Sequence, residues 1–133
     1  MATITAVPLH RHTVLIVDDD VDLLGAFSIA LTMSGVNVHA ASSGLDALDL
    51  VVAGLRPCLI LLDIRMPHLD GWAVWEQMRL LPGMSETPVI LVSGEPPDYA
   101  RAARAGVCAY LRKPVTQELL LEAVARHCAA TAA

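Results

Sequence analysis

The sequence predicts an α/β domain: a five-stranded, doubly wound parallel sheet with helices on both faces. Three observations carry that prediction. Short, nearly unbroken apolar runs recur at Thr13-Val14-Leu15-Ile16-Val17, Cys58-Leu59-Ile60-Leu61-Leu62, Val89-Ile90-Leu91-Val92 and Val107-Cys108-Ala109-Tyr110-Leu111. Such runs read as strands buried on both faces. Segments with apolar residues at helical spacing separate them. The connections are short, and right-handed crossovers then wind repeated strand–helix pairs into one parallel sheet.

Taken in order, residues 1–12 carry no periodicity and are expected as a flexible tail. The domain is expected over 13–128, with a short tail over 129–133. After the first strand, Leu23, Leu24, Phe27 and Leu31 share a helical face, and Gly35 stops that helix. Val36-Asn37-Val38-His39-Ala40 alternates like a more exposed strand. Ser42 or Ser43 can cap the next helix, whose inner face is expected at Leu45, Leu48 and Val52. Gly54 and Pro57 lead into the central strand, which ends in Asp63. The loop Ile64–Gly71 carries Pro67, and Asp70 can cap the following helix. Trp72, Trp75 and Met78 form an apolar stripe there, read as core packing. Pro82, Gly83 and Pro88 mark a loop before the fourth strand, which ends in Ser93-Gly94. Pro96 and Pro97 are expected to open a short Ala- and Arg-rich helix closed by Gly106. The fifth strand ends near Lys113-Pro114, and Thr116 can cap a last helix running to about His127.

Composition limits the functions open to the chain. At 133 residues it suits one well-cored domain, and 55% hydrophobic content excludes a disordered chain. Aromatics are 4%, so the core is aliphatic, and the net charge is −5. No basic cluster suggests direct nucleic-acid binding, and no apolar run reaches the length of a membrane span. The start lacks a signal-peptide core. Cys58, Cys108 and Cys128 are odd in number and far apart, which fits reduced, buried thiols in a cytoplasmic protein. His10 and His12 fall in the leading tail and are expected to be solvated.

Four of the five strands bring polar groups to the sheet's carboxyl edge, where open α/β folds hold their ligands. The first brings Asp18 and Asp19, the third Asp63, the fourth Ser93 and the fifth Lys113. Alone, Asp63 reads equally well as a loop carboxylate bonding nearby backbone amides. Three carboxylates in one cleft repel, and all stay ionised only if a cation joins them. Hard oxygen donors without His or Cys favour Mg²⁺ over zinc. Lys113 adds a second, non-metal positive charge, and Ser93 a hydroxyl. Such surroundings suit attack by a carboxylate on a phosphoryl group. Asp20 reads as a helix-start carboxylate.

At these residues the chain resembles the receiver domain of two-component response regulators, in the manner of the chemotaxis regulators. The resemblance rests on Asp18-Asp19 within Val-Asp-Asp-Asp, and on Asp63 within Leu-Asp-Ile-Arg-Met-Pro-His-Leu-Asp-Gly. It rests also on Ser93-Gly94, on Tyr110, and on Lys113-Pro114, and it spans residues 12 to about 128. It implies a flavodoxin-like strand order 2-1-3-4-5. It implies that Asp63 accepts a phosphoryl group from a histidine kinase or a histidine phosphotransfer protein and later hydrolyses it. Asp19 and Asp63 would bind Mg²⁺ directly, Asp18 through water, and the backbone carbonyl of Arg65 would complete the protein ligands. Lys113 would contact the phosphoryl group, and its bond to Pro114 would be cis. Ser93 and Tyr110 would form the switch pair. A target protein or a second copy would dock on the fourth helix, fifth strand and fifth helix, where Leu119 and Leu121 flank an inner Leu120. Arg65 and Glu95, beside the cleft, are either modulators of phosphoryl lifetime or solvated loop charges.

The runner-up is a Mg²⁺-dependent hydrolase with Asp63 as nucleophile on an external phosphorylated substrate. Such hydrolases commonly carry a second acid where this chain has Arg65, and a cap for which no residues remain. A flavin carrier on the same topology needs a phosphate loop after the first strand, where aspartates would repel phosphate. No residues after the last helix remain for an effector domain, so either a stand-alone receiver or one separated from its effector is expected.

Overall fold

The computed structural model describes residues 12–132, with side chains to 128. The order is β1 (Thr13–Val17), α1 (Val21–Met33), β2 (Asn37–Ala41), α2 (Gly44–Val52), β3 (Leu59–Asp63), α3 (Gly71–Met78), β4 (Val89–Ser93), α4 (Tyr99–Ala105), β5 (Ala109–Arg112) and α5 (Gln117–Ala132). All strand pairs are parallel, in the order β2-β1-β3-β4-β5. The fold class and strand order are those expected from the sequence.

Alternate residues of the central strands feed two cores. Leu15, Val17, Ile60, Leu62, Val89 and Leu91 meet Ala47 and Val51 of α2 and Val74, Trp75 and Met78 of α3. Val14, Ile16, Leu59, Leu61, Ile90 and Val92 meet Leu24, Phe27 and Leu31 of α1 and Leu120, Val124 and Cys128 of α5. Strands packed on both faces have no solvent side, so β3 and β4 are buried at every position. Each fully buried Leu or Ile contributes roughly 1.5–3 kcal/mol. The register sets Val17 against Leu62 and Asp63 against Val92. The residues just past β1 and at the end of β3 therefore emerge level with one another.

Several local expectations need correction. Leu45 and Val52 are 61% and 68% exposed, and α2 turns Gly44, Ala47 and Val51 inward. The reason is close packing against α3: a Cβ at Gly44 would lie 2.5 Å from Val74 Cγ2, so small residues must face that seam. Ser43, not Ser42, caps α2, accepting from Asp46 N. β2 and β5 start later than the apolar runs suggest, at Asn37 and Ala109. Pro96 and Pro97 lie ahead of α4, whose cap is Asp98, accepting from Arg101 N at 3.0 Å. Trp72 is half-buried, packing against the edge of the core, and carries the Arg101 guanidinium over its ring at 4.5 Å. Cys108 is exposed, Cys58 half-buried and Cys128 buried. His12 is buried, because its carbonyl accepts from Asn37 N at the start of the β1–β2 pair. Helix α5 continues past His127 to Ala132, through residues expected as tail. His10 and the rest of the expected leading tail lie outside the described residues.

Candidate functional site

The site is built where β1 and β3 end. Asp18 follows β1 directly, and its N–H donates to Ala41 O at 3.1 Å, holding it in line with the sheet. Its carboxylate accepts from Asp20 N at 2.9 Å and from Lys113 Nζ at 3.0 Å. Asp20 turns the other way and caps α1, accepting from Asp22 N and Leu23 N. That leaves Asp19 exposed between them. Asp63 ends β3, almost wholly buried.

The chain after Asp63 is pinned back against the strand. Gly71 N donates to Ile64 O at 2.8 Å. A Cβ at Gly71 would meet the Asp63 carbonyl oxygen and lie 2.9 Å from Ile64 Cα, so only glycine fits. His68 takes a left-handed φ of 69° within this turn. Asp70 then caps α3 through Ala73 N.

Side-chain oxygens of Asp18, Asp19 and Asp63 all lie within 4.8 Å of one another. Lys113 reaches in from the end of β5, its N–H donating to Ser93 O at 2.8 Å and its Nζ lying 3.5 Å from Asp63 Oδ1. The Lys113–Pro114 peptide is cis. Burial pushes the Asp63 carboxyl up to about 6, and the Asp18 charge adds to the rise. Lys113 and the Arg65 backbone N–H oppose that rise, and Asp19 adds to it. For Lys113, burial works against the ammonium, but its bond to Asp18 and the charges of Asp18 and Asp63 outweigh this and hold it above its ordinary value. Three clustered carboxylates are thus met by one ammonium, which pairs with Asp18 and Asp63. An all-oxygen donor set with this deficit of positive charge fits a hard divalent cation such as Mg²⁺.

Around this cluster stands an outer ring. Ser93 is fully buried, and its hydroxyl oxygen accepts from Glu95 N at 3.2 Å. The half-buried Tyr110 donates its O–H to the Glu95 carbonyl at 3.5 Å. Arg65 and Glu95 pair at 2.9 Å, with side chains 72% and 50% exposed. The structure therefore joins Asp18, Asp19, Asp63 and Lys113 directly. Among the described residues, Ser93 and Tyr110 make no hydrogen bond to the acids, and each meets Glu95 instead. The central place of Glu95, receiving contacts from Arg65, Ser93 and Tyr110, is not visible in its sequence position. Nor is the tight seat of Gly71, which in the sequence is only loop punctuation.

The sequence matches the family model of the response regulator receiver domain over residues 14–125. It is 35% identical over 120 residues to the transcriptional regulatory protein GlrR of Escherichia coli, a match covering 88% of this chain and 26% of that protein. It is 34% identical over 113 residues to the DNA-binding dual master transcriptional regulator RpaA of a Synechocystis strain, covering 84% of this chain and 46% of that protein. The chain thus spans less than half the length of these curated relatives. Among solved structures, the chemotaxis protein CheY4 of Vibrio cholerae superposes with a TM-score of 0.81 at 26% identity, covering 86% of this chain and 97% of that one. A CheY-like receiver domain from Methanospirillum hungatei gives 0.81 at 29% identity, covering 91% and 96%.

Proposed function

The chain belongs to the response regulator receiver domain family, and from that premise we propose that it is a phosphorylation-dependent switch with Asp63 as acceptor. Receiver domains act as signalling switches and work with histidine kinases. The single observation that carries the finer reading is the buried Asp63 carboxylate, set among Asp18, Asp19 and the Lys113 ammonium.

In the proposed reaction, an Asp63 oxygen attacks the phosphorus of a phosphohistidine on a histidine kinase or phosphotransfer protein. The O–P bond forms, the N–P bond breaks, and the electron pair returns to the imidazole nitrogen, which takes up a proton. Asp19 and Asp63 would hold Mg²⁺ directly and Asp18 through water, and the Arg65 carbonyl would be a further ligand. Such an ion would supply positive charge to the phosphoryl oxygens. Lys113 adds its own charge on the other side and steadies the transferring group. In hydrolysis, water attacks the same phosphorus and the Asp63 carboxylate leaves. Catalysis of this kind is directed at the protein itself.

Readout follows from the same residues. The phosphoryl group brings about two negative charges and new acceptor oxygens. Ser93 gives up its bond with Glu95 N and turns its hydroxyl to them. Tyr110 then moves into the vacated space, changing the α4–β5–α5 face. Leu119, 48% exposed beside the buried Leu120, supports a role for this face in docking a target or a second copy. The protein so read works in the cytoplasm.

Incubation with a small phosphodonor and Mg²⁺ should add one hydroxylamine-labile phosphoryl group. Asp63→Asn should add none, and undiminished labelling of that variant would sink the assignment. In this reading the exposed Arg65–Glu95 pair, beside the cleft, hinders the water that attacks the phosphoaspartate. Arg65→Ala or Glu95→Ala should each speed decay of the phosphorylated form by roughly two- to tenfold, the small scale expected of an exposed pair. An unchanged decay rate would mark the pair as solvated charge only.

A further inference from the structure

Between α3 and α4, away from the acidic cleft, an open groove of about 210 Å³ is lined by Trp72, Trp75, Glu76, Arg79, Arg101 and Arg104. The chain has nine Lys and Arg residues against a net charge of −5, and three of the nine line this groove. Among the described residues, none of the three forms an ion pair, and Glu76 in the groove is bonded to none of them. Two of the guanidiniums are nonetheless held in place. Arg79 Nη1 donates to Ala105 O at 3.0 Å, beside the Trp75 indole N–H, which donates to the same carbonyl at 2.7 Å. The Arg101 guanidinium lies over the Trp72 ring, 4.5 Å from its centroid. Arg79 and Arg101 are thus held by a carbonyl and an aromatic face, with no carboxylate paired to either among the described residues.

We propose that this groove docks an acidic segment of a partner protein. Guanidinium forks match carboxylates in pairs, and aromatic and Arg side chains are the residues enriched in protein interfaces. The groove is smaller than the roughly 300 Å³ at which small-molecule sites begin. It is also open, so it admits side chains of a larger partner and does not enclose a free ligand. The rest of the surface, being acidic, repels such a segment, so charge selects this face. The proposal does not depend on phosphoryl chemistry at Asp63.

Both tryptophans of the chain line the groove, so the whole tryptophan emission reports on it. A short synthetic peptide rich in Asp and Glu with one Phe is titrated into the full chain. Its neutral Asn/Gln counterpart and pyrophosphate are run in parallel. The acidic peptide should change the emission and bind more tightly as salt is lowered. Its affinity should fall at least about tenfold in Arg101→Ala/Arg104→Ala. Arg79 is left intact because it ties α3 to α4. That double variant should still accept phosphate at Asp63, so failure here and failure of the acceptor assignment read out separately. An emission that no peptide changes, equal affinity in the double variant, or pyrophosphate binding as tight as the peptide would each overturn the proposal.

Discussion

Asp63→Asn is expected to stabilise the metal-free protein, and the gain should grow as pH rises from about 4 to about 7. Folding lifts this carboxyl from 3.8 to about 6, first by burial and then by the Asp18 charge. A group raised on folding contributes stability that is fully present below its unfolded pKa. That stability is lost as pH climbs through the folded value. The shift of 6 − 3.8, about two pKa units, corresponds to at most about 3 kcal/mol. Solvent at the cleft mouth reduces this to the order of 1–2 kcal/mol. Asparagine keeps the shape and removes the charge, so the variant escapes the loss. Urea unfolding of parent and variant in the presence of a chelator, at several pH values, checks this. Carboxylates outside the cluster titrate alike in both proteins and cancel in the difference. A difference that stays flat with pH would mean that Asp63 is not the strained member of the cluster.

The second large effect is expected from the metal. Ions that bind only the folded state stabilise it by mass action, by about 2.7 kcal/mol at a hundredfold excess over Kd. Mg²⁺ should therefore raise the unfolding midpoint of the parent and reverse its loss of stability at neutral pH. Asp19→Asn removes one donor oxygen from the exposed side of the cluster, where no protein group competes for it. It should weaken Mg²⁺ at least about tenfold while leaving the metal-free fold intact, because Asp19 caps no helix and pairs with no lysine. Asp18→Ala is expected to behave differently. Asp18 bonds Lys113 and Asp20 N, so its removal relieves repulsion but takes from Lys113 the shorter of its two ion pairs and leaves it only Asp63. If Mg²⁺ leaves the midpoint where it was, or binds Asp19→Asn as it binds the parent, the three acids are not a metal site.

The strands and their carboxyl-edge residues were legible because burial on both faces writes a continuous apolar run. The polar residue ending each run then marks the cleft. Asp63, Asp18 and Lys113 were found this way, although more than forty positions separate each from the next. Helix faces were less legible. In α2, Leu45, Leu48 and Val52 share one stripe, while Gly44, Ala47 and Val51 share the neighbouring one. Size favours the first, but the α2–α3 seam takes the second, which leaves Leu48 half-buried against the core and Leu45 and Val52 exposed. Strand starts were blurred because Val36 and Val107 are apolar without belonging to the ladder. His12 was read as tail because nothing in its neighbours signals the backbone bond that buries it. Arg65 and Glu95 are placed beside the cleft by the sequence, but the Glu95 contacts with Ser93 and Tyr110, like the α3–α4 groove, are invisible in it for a simpler reason. Both join residues from separate elements whose spacing carries no period.

The most direct test of the account is the position of the phosphoryl group itself. The protein is incubated with a small phosphodonor and Mg²⁺, quenched, reduced at the acyl phosphate with borohydride, and digested for mass spectrometric mapping. A single modified site at Asp63, absent when Mg²⁺ is chelated, is the predicted result. Modification at Asp18, Asp19 or Ser93 in its place, or none anywhere in the chain, would contradict it.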